Sequence, residues 1–206
     1  MAPEKRNETW KDNGVAYPAN GTQKHFQKTM ETPKTSIYVK LHGDMKYNAT
    51  NRILMDMVAE LLDKRYTDVI REAEGGSYGV SVRGSLTHFP KEEYSLLVAF
   101  DTDPIKAEKL KGIVYAEMDS LYLKGVQPED LNEAIKNFIK VRQENLRKNN
   151  YWVGALVNYY QHNEINVIPA AYEDIVNGIT TEQVEAFTKE FMQKAGKFEV
   201  VMSPAQ

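Results

Sequence analysis

The chain has 206 residues, with 26 basic and 29 acidic side chains, a formal net charge of −3 and no cysteine. That length suits one domain with a sizeable core, and the evenly dispersed charge excludes a polybasic surface for nucleic acid. The absence of cysteine excludes disulfides and thiolate metal sites, and no stretch approaches the roughly 18 apolar residues of a membrane-spanning helix. The first residues, Met-Ala-Pro-Glu-Lys-Arg-Asn-Glu, contain no apolar signal-peptide core.

In chain order, residues 1–21 are polar and punctuated by Asn13-Gly14, Pro18 and Asn20-Gly21, and read as a linker or edge segment. Residues 22–206 read as a single domain. Alternation over 22–30 and 35–42, separated by Thr32-Pro33-Lys34, predicts two strands paired antiparallel. Ile53, Leu54, Met57, Val58, Leu61, Leu62, Val69 and Ile70, with Tyr66 among them, recur every three or four residues and predict a long helix over about 48–72. Strands near 78–86 and 93–101 follow, joined by a loop holding His88, Phe89 and Pro90.

Asp103-Pro104 predicts a capped helix start, with Leu110, Ile113, Val114, Met118 and Leu121 on one face and Gly125 at its end. Pro128 opens a further helix carrying Leu131, Ile135, Phe138 and Ile139, and Tyr151 to Tyr160 reads as helical. Thr180-Thr181-Glu182-Gln183 forms a capping box for a helix ending near Gly196, and Phe198 to Met202 is a last strand. This order predicts an α+β fold, a largely antiparallel sheet covered on one face by helices.

The junction after the long helix concentrates the candidate chemistry. Arg71 lies in the last helical turn, Gly75 and Gly76 end the helix, and Tyr78 opens a strand, so a guanidinium and a phenol are brought toward one another. Simpler roles exist for each. Arg71 can pair with Glu72, Glu74 or the final helix carbonyls, and Tyr78 can be an ordinary half-buried strand tyrosine. A phosphate-cradling loop is excluded by order, because these glycines follow a helix and lead into a strand. His25, His42, His88 and His162 form neither His-x-x-Glu-His nor His-Glu-x-x-His.

The Arg71/Tyr78 pair, seven residues apart, resembles the closing domain of M16 metallopeptidases, the pitrilysin/insulinase family. The resemblance extends to Phe100-Asp101-Thr102-Asp103-Pro104, Gly125-Val126-Gln127-Pro128-Glu129-Asp130-Leu131, Asn149-Asn150-Tyr151-Trp152 and Val200-Val201-Met202-Ser203-Pro204, and so covers nearly the whole chain. It implies an M16 fold of the LuxS/mitochondrial processing peptidase-like kind, in the C-terminal domain that does not bind zinc. Arg71 and Tyr78 would then be auxiliary catalytic residues making substrate and oxyanion contacts, and Gly75, Gly76, Asn149 and Trp152 would contact substrate.

The same resemblance implies zinc in a parent enzyme, bound by another domain in the same polypeptide or on a partner subunit, with no metal on this chain. Peptide or unfolded protein would be the substrate, and the isolated chain would be inactive. It also favours a bacterial periplasmic or envelope setting. The rival reading is a noncatalytic M16-like subunit or scaffold. For Asn149 and Trp152 the structural alternatives are a helix cap and a core anchor.

Overall fold

The computed structural model describes residues 11, 13–17, 21–74, 79–162 and 169–205, with side chains of all but 71–74, 162, 169 and 170. Five strands form one sheet in the order β1-β5-β2-β4-β3, where β1 is Thr22–Lys28, β2 Thr35–Asp44, β3 Ser81–Thr87, β4 Glu93–Thr102 and β5 Gly196–Pro204. Six helices accompany it: α1 Ala49–Glu74, α2 Ala107–Lys124, α3 Pro128–Asn145, α4 Asn149–His162, α5 Pro169–Asn177 and α6 Thr181–Gln193. The architecture is the α+β arrangement expected from the sequence.

One pairing differs from expectation. β1 and β2 are not partners; β5 lies between them, antiparallel to β2 and parallel to β1. The reason is burial. β5 places Val201 in the core, whereas β1 is exposed over nearly all its length, so the more apolar C-terminal strand takes the inner position. The short connection around Pro33 therefore joins two strands that are one strand apart.

Alternation along β4 decides which face is covered. Tyr94, Leu96, Val98 and Phe100 are buried toward the helices while the intervening residues are half-buried on the other face. Ile37, Val39 and Leu41 of β2 join them. Against this face lies α1, whose start is fixed by Asn48, its side chain accepting the Asn51 N–H at 2.8 Å. Ile53, Leu54, Met57, Val58, Leu61, Leu62, Tyr66 and Ile70 are all in the core, with Val69 half-buried. Tyr66 donates its hydroxyl to the Val114 carbonyl at 3.1 Å, tying α1 to α2.

Other local signals are met in detail. Asp103 caps the Ile105 N–H at 2.9 Å, though Pro104–Lys106 is a single 3₁₀ turn before α2 begins. Gly125 ends α2 at φ 71°, a conformation that favours glycine, and its carbonyl accepts from Arg65 at 3.1 Å. The Thr180/Gln183 capping box closes in both directions at the start of α6.

Helix α1 comes close to the sheet at Gly84 of β3. A Cβ there would sit 2.7 Å from the Met55 carbonyl oxygen, which is backbone and cannot swing aside. Gly84→Ala is therefore expected to lower stability by about 1–3 kcal/mol, the usual cost of overpacking. Urea unfolding should give a lower midpoint with an unchanged slope; an unaltered midpoint would mean that α1 can lift from β3 without cost.

Candidate functional site

α1 packs directly against β3. The Val82 N–H donates to Asp63 Oδ1 at 3.2 Å, and Ile70 of α1 and Val80, just before β3, are both buried. Arg71 is in the last turns of α1, while its side chain and Gly75, Gly76 and Tyr78 lie outside the described residues.

Asn149 and Trp152 lie at the start of α4, and both are exposed. Trp152 is not a core anchor. Its Nε1 donates to the Leu146 carbonyl at 2.8 Å, which pins the ring to the end of α3, and its edge meets Tyr151 at 5.7 Å between centroids.

Their neighbours Asn150 and Tyr151 instead line a cleft of about 780 Å³. Its walls come from α1, β3, α3, α4 and α5; α1 contributes Arg52 with three acids, Asp56, Glu60 and Asp63, while Arg83 comes from β3 and Arg142 from α3. Arg142 dominates its inner wall. The residue is 5% exposed, with the guanidinium against the rings of Tyr172, 4.6 Å from centroid, and Tyr151, 5.0 Å away. Its Nε and Nη2 are buried and have no hydrogen-bond partner among the described residues. Burial works against its charge and holds its pKa below the usual arginine value; burial likewise raises that of Tyr172.

This arginine is a functional candidate that sequence reasoning passed over, although a signal existed. Leu131, Ile135, Phe138 and Ile139 form the apolar stripe of α3, and Arg142 continues it one turn further. A cation on a core-facing stripe needs a reason.

Among the described residues no group of three or more His, Asp or Glu is placed to hold a metal ion, and those residues supply no zinc ligand set. His42 illustrates an alternative fate for a histidine. It is 8% exposed on the sheet face away from the helices, with Tyr17 stacked on it at 4.4 Å and Gly196 beneath. Desolvation first, then the Lys40 charge, lowers its pKa from 6.5, against an opposing pull from Glu93.

With these features placed, the fold defines an α+β domain with a five-stranded sheet covered by helices. A family model described as the peptidase M16 inactive domain matches residues 3–138, and the chain belongs to that family. Among solved structures it is similar to the periplasmic protease PqqL from Escherichia coli, with a TM-score of 0.78 and 20% identity over 94% of this chain and 22% of that one. It is also similar to a peptidase M16 inactive domain from Pseudomonas fluorescens, with a TM-score of 0.73 and 17% identity over 91% of this chain and 44% of that one. A third likeness is to a protease from Helicobacter pylori, with a TM-score of 0.71 and 14% identity over 97% of this chain and 49% of that one. The chain thus spans less than half the length of each. No curated protein matches it.

The depressed pKa of His42 has a consequence for stability. The unfolded chain binds its proton near pH 6.5 while the folded chain resists until lower pH, so stability should fall as pH drops below that value. Thermal melting between pH 7.5 and 5 is expected to show a smaller decline for His42→Phe than for the native chain. Equal declines would mean that the ring titrates as though exposed.

Proposed function

We propose that this domain closes the peptide-binding chamber of a larger M16-type zinc endopeptidase and supplies Arg71 and Tyr78 to a zinc site carried by another domain. The observation that carries this reading is an arginine and a tyrosine seven residues apart in sequence, between the last turns of α1 and the start of β3, in a chain of the M16 family. The helical repeat adds support. Position 71 lies eleven residues beyond Glu60, about 20° from it around the axis, and so belongs to the face of α1 that borders the cleft.

The roles follow from the charge that develops during peptide hydrolysis. Zinc supplies a nucleophilic water and polarises the carbonyl. As the carbonyl oxygen becomes negative, the Tyr78 hydroxyl serves as a preorganised donor to it. Arg71, permanently charged and with a planar fork of N–H groups, holds an adjacent substrate carbonyl and fixes the direction of the peptide. Gly75 and Gly76 allow close approach of backbone to substrate. Exposed Asn149 and Trp152 offer a further contact surface for an unfolded peptide. Placement in the periplasm accords with the resemblance to PqqL, which is itself periplasmic; no helix among the described residues is long and apolar enough to cross a membrane.

Hydrolysis of a quenched peptide by the zinc-bearing portion, with this chain and then with Tyr78→Phe, tests the assignment. Turnover is expected to drop roughly 10²–10³-fold in the variant, the typical cost of removing one oxyanion donor. Equal rates with the two chains would leave the domain as a wall or scaffold only.

A further inference from the structure

We propose that the cleft between α1, β3, α3 and α4 is a carboxylate-binding subsite for acidic peptides, with the Nε/Nη2 edge of Arg142 as its anion fork. Nε and Nη2 are the two nitrogens of one side of a guanidinium, whose N–H groups run parallel and match both oxygens of a carboxylate. Both are buried and unpartnered among the described residues, in a side chain only 5% exposed that forms part of the cleft wall. A buried cation with an unused donor edge costs stability that contacts with two tyrosine rings recover only in part. The arrangement makes sense if a ligand completes it.

The remaining features select the ligand. Arg52 lies on the same cleft and its charge acts on Arg142 unfavourably, which an anion between them would relieve. Glu173 adds an attractive charge to Arg142 but no hydrogen bond to its free edge. Asp56, Glu60 and Asp63 on the α1 wall disfavour a multiply charged phosphate, whereas a single carboxylate is tolerated. A volume of about 780 Å³ is in the range of sites that enclose sizeable small ligands and can admit a few residues of peptide.

The lid is Tyr151. It stands on α4, where no described residue from Asn149 to Gln161 is fully buried, so its ring can swing from the guanidinium at little cost to packing.

This inference rests on the peptide-binding reading for the nature of its ligand. It is tested on the 206-residue chain without the zinc-bearing domain, so its failure and the failure of the Tyr78 assignment are separate events. The probes are acetyl-Ala-Ala-Glu-Ala-amide, its Gln counterpart, and acetyl-Ala-Ala-Ala with a free C-terminal carboxylate, titrated by calorimetry. One or both carboxylate peptides should bind about 10- to 100-fold more tightly than the Gln peptide, the worth of hydrogen bonds to a charged group. Which of the two binds identifies a side-chain or a chain-end carboxylate.

Arg142→Met should abolish the preference while leaving Tm unchanged or raised, because it replaces an unpartnered buried cation by an apolar chain of similar length. Arg142→Lys should weaken binding without restoring the fork. Equal binding of Glu, Gln and chain-end peptides to the native chain would overturn the proposal. So would a Met variant that retains the preference, or a folded-state loss in both variants alongside no preference in the native chain.

Discussion

The contact of α1 with β3 is the constraint from which the rest of the molecule takes its shape. Gly84 lets the strand backbone approach the Met55 carbonyl, and Asp63 accepts the Val82 N–H about two turns further along the helix. Together they fix α1 in height and in rotation above the sheet. A helix held at two points cannot roll, so its apolar stripe stays in the core while its polar positions 52, 56, 60 and 63 turn toward the cleft.

Arg142 is the one buried cation among the described residues. Buried polar groups are nearly always hydrogen-bonded, because desolvation without compensation costs about 1–3 kcal/mol and more for a charge. Compare Glu199, also buried, which accepts from Tyr115 and lies 3.6 Å from Lys111 Nζ. That carboxylate has a donor and a counter-ion; the Nε/Nη2 edge of Arg142 has aromatic faces and the nearby Glu173 charge. A structural role alone would be served as well by an apolar side chain, which α3 uses at Leu131, Ile135, Phe138 and Ile139.

Much of this fold was legible because its long elements are strongly periodic. α1, α2 and α3 announce themselves through apolar residues at three- and four-residue intervals, and their ends through Asp103, Gly125, Pro128 and the Thr180/Gln183 box. What escaped depends on contacts between distant segments. Nothing local to residues 22–42 tells that β5 will arrive from the far end of the chain to separate β1 from β2. α5 was missed because it is nine residues long, although Pro169 at its first turn was a usable start signal. The cleft was illegible for a similar reason: Arg142 and Tyr172 are thirty positions apart and Arg52 is ninety from Arg142, so only the fold brings them together.

The two candidate sites are linked by the helix they share. From Arg52 to position 71 the polar face of α1 rises roughly 28 Å, at 1.5 Å per residue, about the span of eight extended peptide residues. One end of that face borders a cleft containing a cation with unused donors, and the other carries the arginine of the Arg71/Tyr78 pair. An extended peptide lying along α1 could therefore engage Arg142 with a carboxylate while its backbone reaches the turn beyond Ile70. Such a layout separates recognition from chemistry: affinity would come from a charge several residues away from the bond that is cut. Binding energy gained at a remote anion site can then be used to orient the reacting carbonyl, which is how remote contacts come to influence turnover as well as affinity. On this view the rigidity of α1, secured by Gly84 and Asp63, is what keeps the distance between the two events constant.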